Sequence, residues 1–172
     1  LEYMNQILSD LYVRDSVTGL YNRMGYQKLS ISYFTIMREK KMPVLVMFID
    51  LDRLKYINDT FGHEYGDFAI ISIAKAMLKH CDADAIAART GGDEFIVLEG
   101  AKDEESGRVL AQKIRTELSK TQRAMQLPFD LSASIGAVVA HPGEENVLES
   151  YVKRAEMLMY EEKAEKKVSR DS

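Results

Sequence analysis

The chain has 172 residues, 46% of them hydrophobic and 29% charged, with a net charge of −4. One globular domain with a well-filled core fits these figures, and the acidic balance argues against an extended nucleic-acid or anionic-membrane surface. A single cysteine, Cys81, excludes an internal disulfide and a cysteine-based zinc site, which suits a reducing cytoplasm.

The opening "LEYMNQILSDLYVRD" places Leu1, Met4, Leu8 and Leu11 at alternating spacings of three and four. This predicts a helix over residues 1–14 that either packs on its own domain or is the tail of a dimerising coiled coil. "DSVTGLYNR" reads as a turn broken by Gly19, ahead of a helix from Arg23 to Lys40. "VLVMFID", after Pro43, has the length and β-branched content of a buried strand. A helix over "EYGDFAIISIAKAMLKHC" leads to a hairpin with strands Ala85–Arg89 and Glu94–Leu98, its elbow holding Gly91 and Gly92 as a tight turn. "EESGRVLAQKIRTELSKTQ" is an amphipathic helix, "LSASIGAVVA" a strand and "NVLESYVKRAEMLMYEEKAEKK" a last helix. The order β–α–β–β–α–β behind an extra N-terminal helix predicts an α+β, ferredoxin-like fold with a mostly antiparallel sheet. No apolar run approaches the roughly 20 residues of a membrane span, and no signal peptide is visible.

Acids are costly to bury unpaired, so Asp93 and Glu94 in the hairpin elbow call for a cation. Side chains alternate along a strand, which puts Asp50 and Asp52 on one face at the end of the first strand. In a split βαβ that strand lies beside the strand after the glycines, bringing Asp50 towards Asp93 and Glu94. Crowded carboxylates need raised pKa values or a divalent ion, and all-oxygen ligands favour Mg²⁺ or Mn²⁺. Asp50 taken alone is equally a cap for the following helix.

No GxxxxGK[ST] stretch occurs, so a P-loop is excluded. The helix start after Asp52 offers free N–H groups near Arg53, Leu54 and Lys55 as another phosphate cradle. Lys163 and Lys167, one turn apart, either reach outer phosphates or are solvated residues favouring the helix dipole. Asn58 and Asp67 can read a guanine edge, whose N1–H and 2-amino group suit a carboxylate; otherwise they are a turn residue and an early-helix acid. Gly62 and Gly66 either permit close approach or shape a turn. His63, His80 and His141 lack metal-ligand spacing.

Five stretches together, "DSVTGLYNR", "FIDLDRLKYINDTFGHEYGD", "RTGGDEF", "SIG" and "RAEMLMYEEK", resemble the GGDEF family of diguanylate cyclases. The resemblance implies a nucleotide-cyclase-like palm, with residues 15–172 as the catalytic domain and 1–14 as a signalling helix. It implies two Mg²⁺ (or Mn²⁺) ions on Asp50, the Leu51 carbonyl and Asp93, with Glu94 assisting metal binding or proton removal. GTP would lie with its phosphates on the Arg53 and Leu54 backbone, Lys55, Lys163 and Lys167, its base on Asn58 and Asp67, and Gly91 and Gly92 making room. The product would be cyclic di-GMP, formed by a homodimer under an upstream sensory domain, with no nucleic-acid partner. A catalytically silent module that binds GTP or cyclic di-GMP is the competing reading. Many relatives carry an RxxD product-inhibition motif where this chain has "DADA", with Asp82 and Ala85 at the Arg and Asp positions. An acid cannot pair with product phosphates, so feedback through that primary site is not expected.

Overall fold

The structure, a computed structural model, describes residues 1–172. In chain order the elements are α1 (Glu2–Val13), α2 (Arg23–Glu39), β1 (Val44–Leu51), α3 (Leu54–Phe61), α4 (His63–His80), β2 (Ile86–Arg89), β3 (Glu94–Gly100), α5 (Ser106–Ala124), β4 (Ala133–Ala140) and α6 (Leu148–Asp171). The strands form one sheet in the order β2-β3-β1-β4, and every neighbouring pair is antiparallel. This is the split βαβ arrangement expected from the element order, with α1 added in front.

β1 explains the layering. It reads as an unbroken apolar run because both faces of the central strand are covered. Leu45, Met47, Ile49 and Leu51 enter a core with Ile73 and Met77 of α4 and Leu110 and Ile114 of α5. Val44, Val46 and Phe48 enter a second core with Phe34 of α2 and Tyr151, Ala155 and Met159 of α6. By the same alternation Asp50 belongs to the α2/α6 face, just where that core ends.

Two glycines set the geometry around this end of the sheet. Gly62 separates α3 from α4 with φ 100° and ψ 161°, a conformation that a Cβ would strain. At Gly136 of β4 a Cβ would stand 1.9 Å from the Ala155 carbonyl oxygen and 2.5 Å from the Met159 nitrogen. Bare backbone there lets α6 lie directly on the sheet. Past Met159, α6 buries no residue at all.

α1 does not pack into its own domain: none of its residues is buried, and Leu1, Met4, Leu8 and Leu11 all face outward. Its end is tied to α2 by Asn22, whose Nδ2 donates to the Tyr12 carbonyl at 2.8 Å while its Oδ1 caps Gly25 N–H at 2.8 Å. No helix is long and apolar enough to cross a membrane.

Candidate active site

The strand pairing itself assembles the acids. Asp50 of β1 lies opposite Glu94 of β3, and Leu51 N–H donates to the Asp93 carbonyl at 2.9 Å. One carboxylate oxygen from each of Asp50, Asp93 and Glu94 lies within 4.8 Å of the others. The Leu51 side chain is buried in the core, so only its backbone is available here.

The hairpin tip is held from below. Arg89 donates to the Gly92 carbonyl through Nε (3.2 Å) and Nη2 (2.8 Å), and through Nη1 to both Asp15 oxygens at 3.3 Å. Asp15 in turn accepts the Thr18 N–H (2.9 Å) and hydroxyl (2.7 Å), so the "DSVTGL" segment buttresses the tip. Sequence reasoning assigned Arg89 no role; a lone cation one residue ahead of the glycines was the available signal. The tip also corrects the expected turn. Four residues, 90–93, connect Arg89 to Glu94, and neither Gly91 nor Gly92 has positive φ. A Cβ on Gly91 would meet Glu94 Oε2 at 3.0 Å, whereas Gly92 has open space beside it.

The cluster is short of positive charge. Asp50 is only 5% exposed, and burial pushes its carboxyl up to about 6. The Lys163 ammonium, 2.5 Å from Oδ1, opposes that rise, while Asp93 and Glu94 add to it. Glu94 is raised too, by burial and then by Asp93 and Glu156, against Arg23 and Lys163. Asp50 and Glu94, which hold protons too tightly and share one lysine, stand with Asp93 as a set of oxygen donors that suits a hard divalent cation.

Asp52, two residues on, has what Asp50 lacks. Its oxygens accept bonds from Ser132 Oγ (2.7 Å), Ser134 Oγ (2.6 Å) and Lys166 Nζ (2.7 Å). Burial works against its charge, but these three donors outweigh it and keep the carboxyl below the usual range. Lys163 and Lys166, not Lys167, are therefore the α6 lysines that meet the strand-end acids. Lys167 is exposed and makes no ion pair.

Arg53 precedes α3 in the left-handed region (φ 59°, ψ 38°), a strained choice for a side-chain-bearing residue, and its guanidinium lies 3.9 Å over the Tyr56 ring. Helix geometry leaves the first N–H groups of α3 without intrahelical partners, with Lys55 exposed beside them. A cavity of about 430 Å³ adjoins this turn, bordered by Asp52, Arg53, Tyr56, Ser132, Lys166 and Arg170. Asn58 on α3 is half-buried and Asp67 on α4 exposed. Gly66 is the reason the two helices meet so closely here, since a Cβ would stand 1.8 Å from Asn58 Oδ1.

Residues 12–169 match the family described as "Diguanylate cyclase, GGDEF domain". The chain belongs to the GGDEF family. Among similar proteins is the diguanylate cyclase VdcA of Vibrio cholerae, 34% identical over 87% of this chain and 43% of its own length. Another is the diguanylate cyclase DgcP of Escherichia coli, 33% identical over 88% of this chain and 45% of that protein. The chain thus spans under half the length of these relatives. A solved sensory box/GGDEF family protein from Caulobacter crescentus superposes with a TM-score of 0.71 at 29% identity, covering 89% of this chain and 99% of that one.

On the far side of this GGDEF domain, where the RxxD pair is absent, acids gather. Glu99, 8% exposed, accepts the Asp82 N–H at 3.0 Å, and its carboxyl is raised by burial and the Asp82 and Asp84 charges. The Tyr33 hydroxyl beside them is pushed up to about 12 by burial and by Asp84, Glu99 and Asp82.

Proposed function

We propose that this GGDEF domain is a diguanylate cyclase, condensing two GTP molecules into cyclic di-GMP with release of two pyrophosphates. The observation that carries the reading is the trio of carboxylates within 4.8 Å at a β1–β3 edge short of positive charge. Asp50, Asp93, the Leu51 carbonyl and Glu94 would hold two Mg²⁺ or Mn²⁺ ions. Such ions lower the pKa of a bound hydroxyl and neutralise charge on phosphoryl oxygens.

The chain's own groups supply the rest. The α3 N-terminus at Arg53 and Leu54, with Lys55, receives the phosphates, and Gly91 and Gly92 leave the tip low enough for the nucleotide to pass. Lys163 gives up Asp50 to follow the phosphate charge, and Lys167 is free in solvent to turn inward. Asn58, seated against Gly66, and Asp67 select guanine by accepting its paired donors. Glu94 would assist metal binding or take the proton of the 3′-hydroxyl as it attacks the α-phosphorus of the other nucleotide.

One chain offers one half-site, so two copies must face each other with two-fold symmetry. The bare seam on α1 fits a helix that sets this encounter for an upstream sensory domain. Incubating the domain with Mg²⁺ and GTP, ATP or both, then separating the products, tests the reading; cyclic di-GMP from GTP alone is expected, with specific activity rising with protein concentration.

A silent binding module is the second reading. It is kept in view by the similarity to PdeR of Escherichia coli, a protein named a cyclic di-GMP phosphodiesterase, 32% identical over 85% of this chain and 22% of that protein. Guanine-nucleotide binding with no product at any protein concentration would select it.

A further inference from the structure

The distal part of α6 is tied down by ion pairs. The last residue α6 buries is Met159, yet the helix runs on to Asp171 and must present Lys163 to the site. Besides Lys163, four side chains make its polar attachments beyond Met159. Arg115 of α5 grips Glu162 through Nη2 at 2.8 and 2.6 Å; Glu162 meets Lys166 at 3.2 Å; and Lys166 reaches Asp52 at 2.7 Å. Lys166 also donates to the Ala133 carbonyl at 2.7 Å, so it binds the ends of β1 and β4 together.

The site needs such an attachment. Lys163 itself helps to dock the tail through Asp50. On the cyclase reading, on which this inference rests, that contact is surrendered to cations and phosphates. Whatever keeps α6 in place must then lie elsewhere and must not compete for ligand. Asp52 meets that need: it is 5% exposed, fully provided with donors and absent from the acidic trio. We propose that Lys166 is a positioning residue, which through Asp52, and braced by Glu162 and Arg115, fixes the distal turns of α6 so that Lys163 can exchange Asp50 for substrate phosphate without the helix lifting off.

The direct test reads Lys163 in the ligand-free protein. Its side-chain ¹⁵N ammonium signal, visible when hydrogen bonding slows proton exchange, is expected in the wild type, lost in Lys166→Met and retained in Lys166→Arg. An unchanged signal in Lys166→Met, or none in the wild type, overturns the proposal. Lys166→Met leaves Asp52 buried without its cation, so the paired variant Asp52→Asn/Lys166→Met separates positioning from charge burial. Recovery of the melting temperature without recovery of the Lys163 signal supports positioning, and recovery of both overturns it. With Mg²⁺ and the non-cyclisable guanosine 5′-(α,β-methylene)triphosphate, Lys166→Met should bind at least tenfold more weakly and Lys166→Arg as the wild type does. In turnover the change should fall on KM rather than kcat. Failure of the wild type to bind this analogue would defeat the cyclase reading and leave the ammonium test standing.

Discussion

Asp50 and Asp52 share a strand end, a burial of 5% exposure and a lysine from α6, yet their carboxyls are driven in opposite directions. Asp52 adds two serine hydroxyls to its lysine and stands outside the acidic trio. Asp50 adds Asp93 and Glu94. What separates a structural acid from a candidate catalytic one is therefore neither residue type nor depth but whether the surrounding donors satisfy the charge.

The largest expected effect removes the unsatisfied side. Asp93→Ala should cut cyclic di-GMP formation by at least roughly 10³-fold, measured by product chromatography, while leaving the fold intact. Retained turnover would place the metal elsewhere. Gly66→Ala comes next, because its methyl group must displace Asn58: an increase in KM for GTP of about 10²-fold is expected, with a much smaller change in kcat.

Stability should then split the two aspartates by sign. Unfolded Asp50 loses its proton near 3.8, whereas folded Asp50 keeps it to about 6, so folding stability falls as pH rises across that window. Asp50→Asn should accordingly stabilise the metal-free protein by about 1–3 kcal/mol at pH 7.5, and the gain should vanish towards pH 4. Asp52 is shifted the other way, so its contribution is present above its unfolded value and lost in acid. Asp52→Asn should cost about 1–3 kcal/mol at pH 7.5. Chemical denaturation at the two pH values reads both, and equal signs would erase the distinction. The smallest effect expected is none: added cyclic di-GMP should not slow initial rates through the primary RxxD position, where this chain has Asp82 and Ala85. Inhibition competitive with neither GTP nor Mg²⁺ would show a site there after all.

Much of this could be read from residue order. The apolar run ending in Asp50 announced a central strand covered on both faces, and the split βαβ order alone puts Asp50 beside Glu94. Helical phase was harder. Lys163 lies three residues before Lys166 and four before Lys167, and both spacings return to the same side of a helix. Only the seat of α6 on Gly136 decides that Lys166 faces the sheet. The Arg89–Asp15 pair and the two serines on Asp52 stayed hidden because their work is long-range: each bonds to a group that the sequence does not mark as needing it. The Gly-Gly pair misled in the opposite sense, since its spacing suits a two-residue turn while the chain forms a wider tip with ordinary φ values.

Gly136 turns α6 into a lever. Backbone meets backbone near residue 157, and at about 1.5 Å per residue Lys166 lies about 13 Å further along the axis. A tilt of about 10° at that fulcrum would swing the far end by about 2 Å, comparable to a whole hydrogen bond. A single methyl group at a strand position remote from any ligand would thus disarm the domain by mechanical advantage.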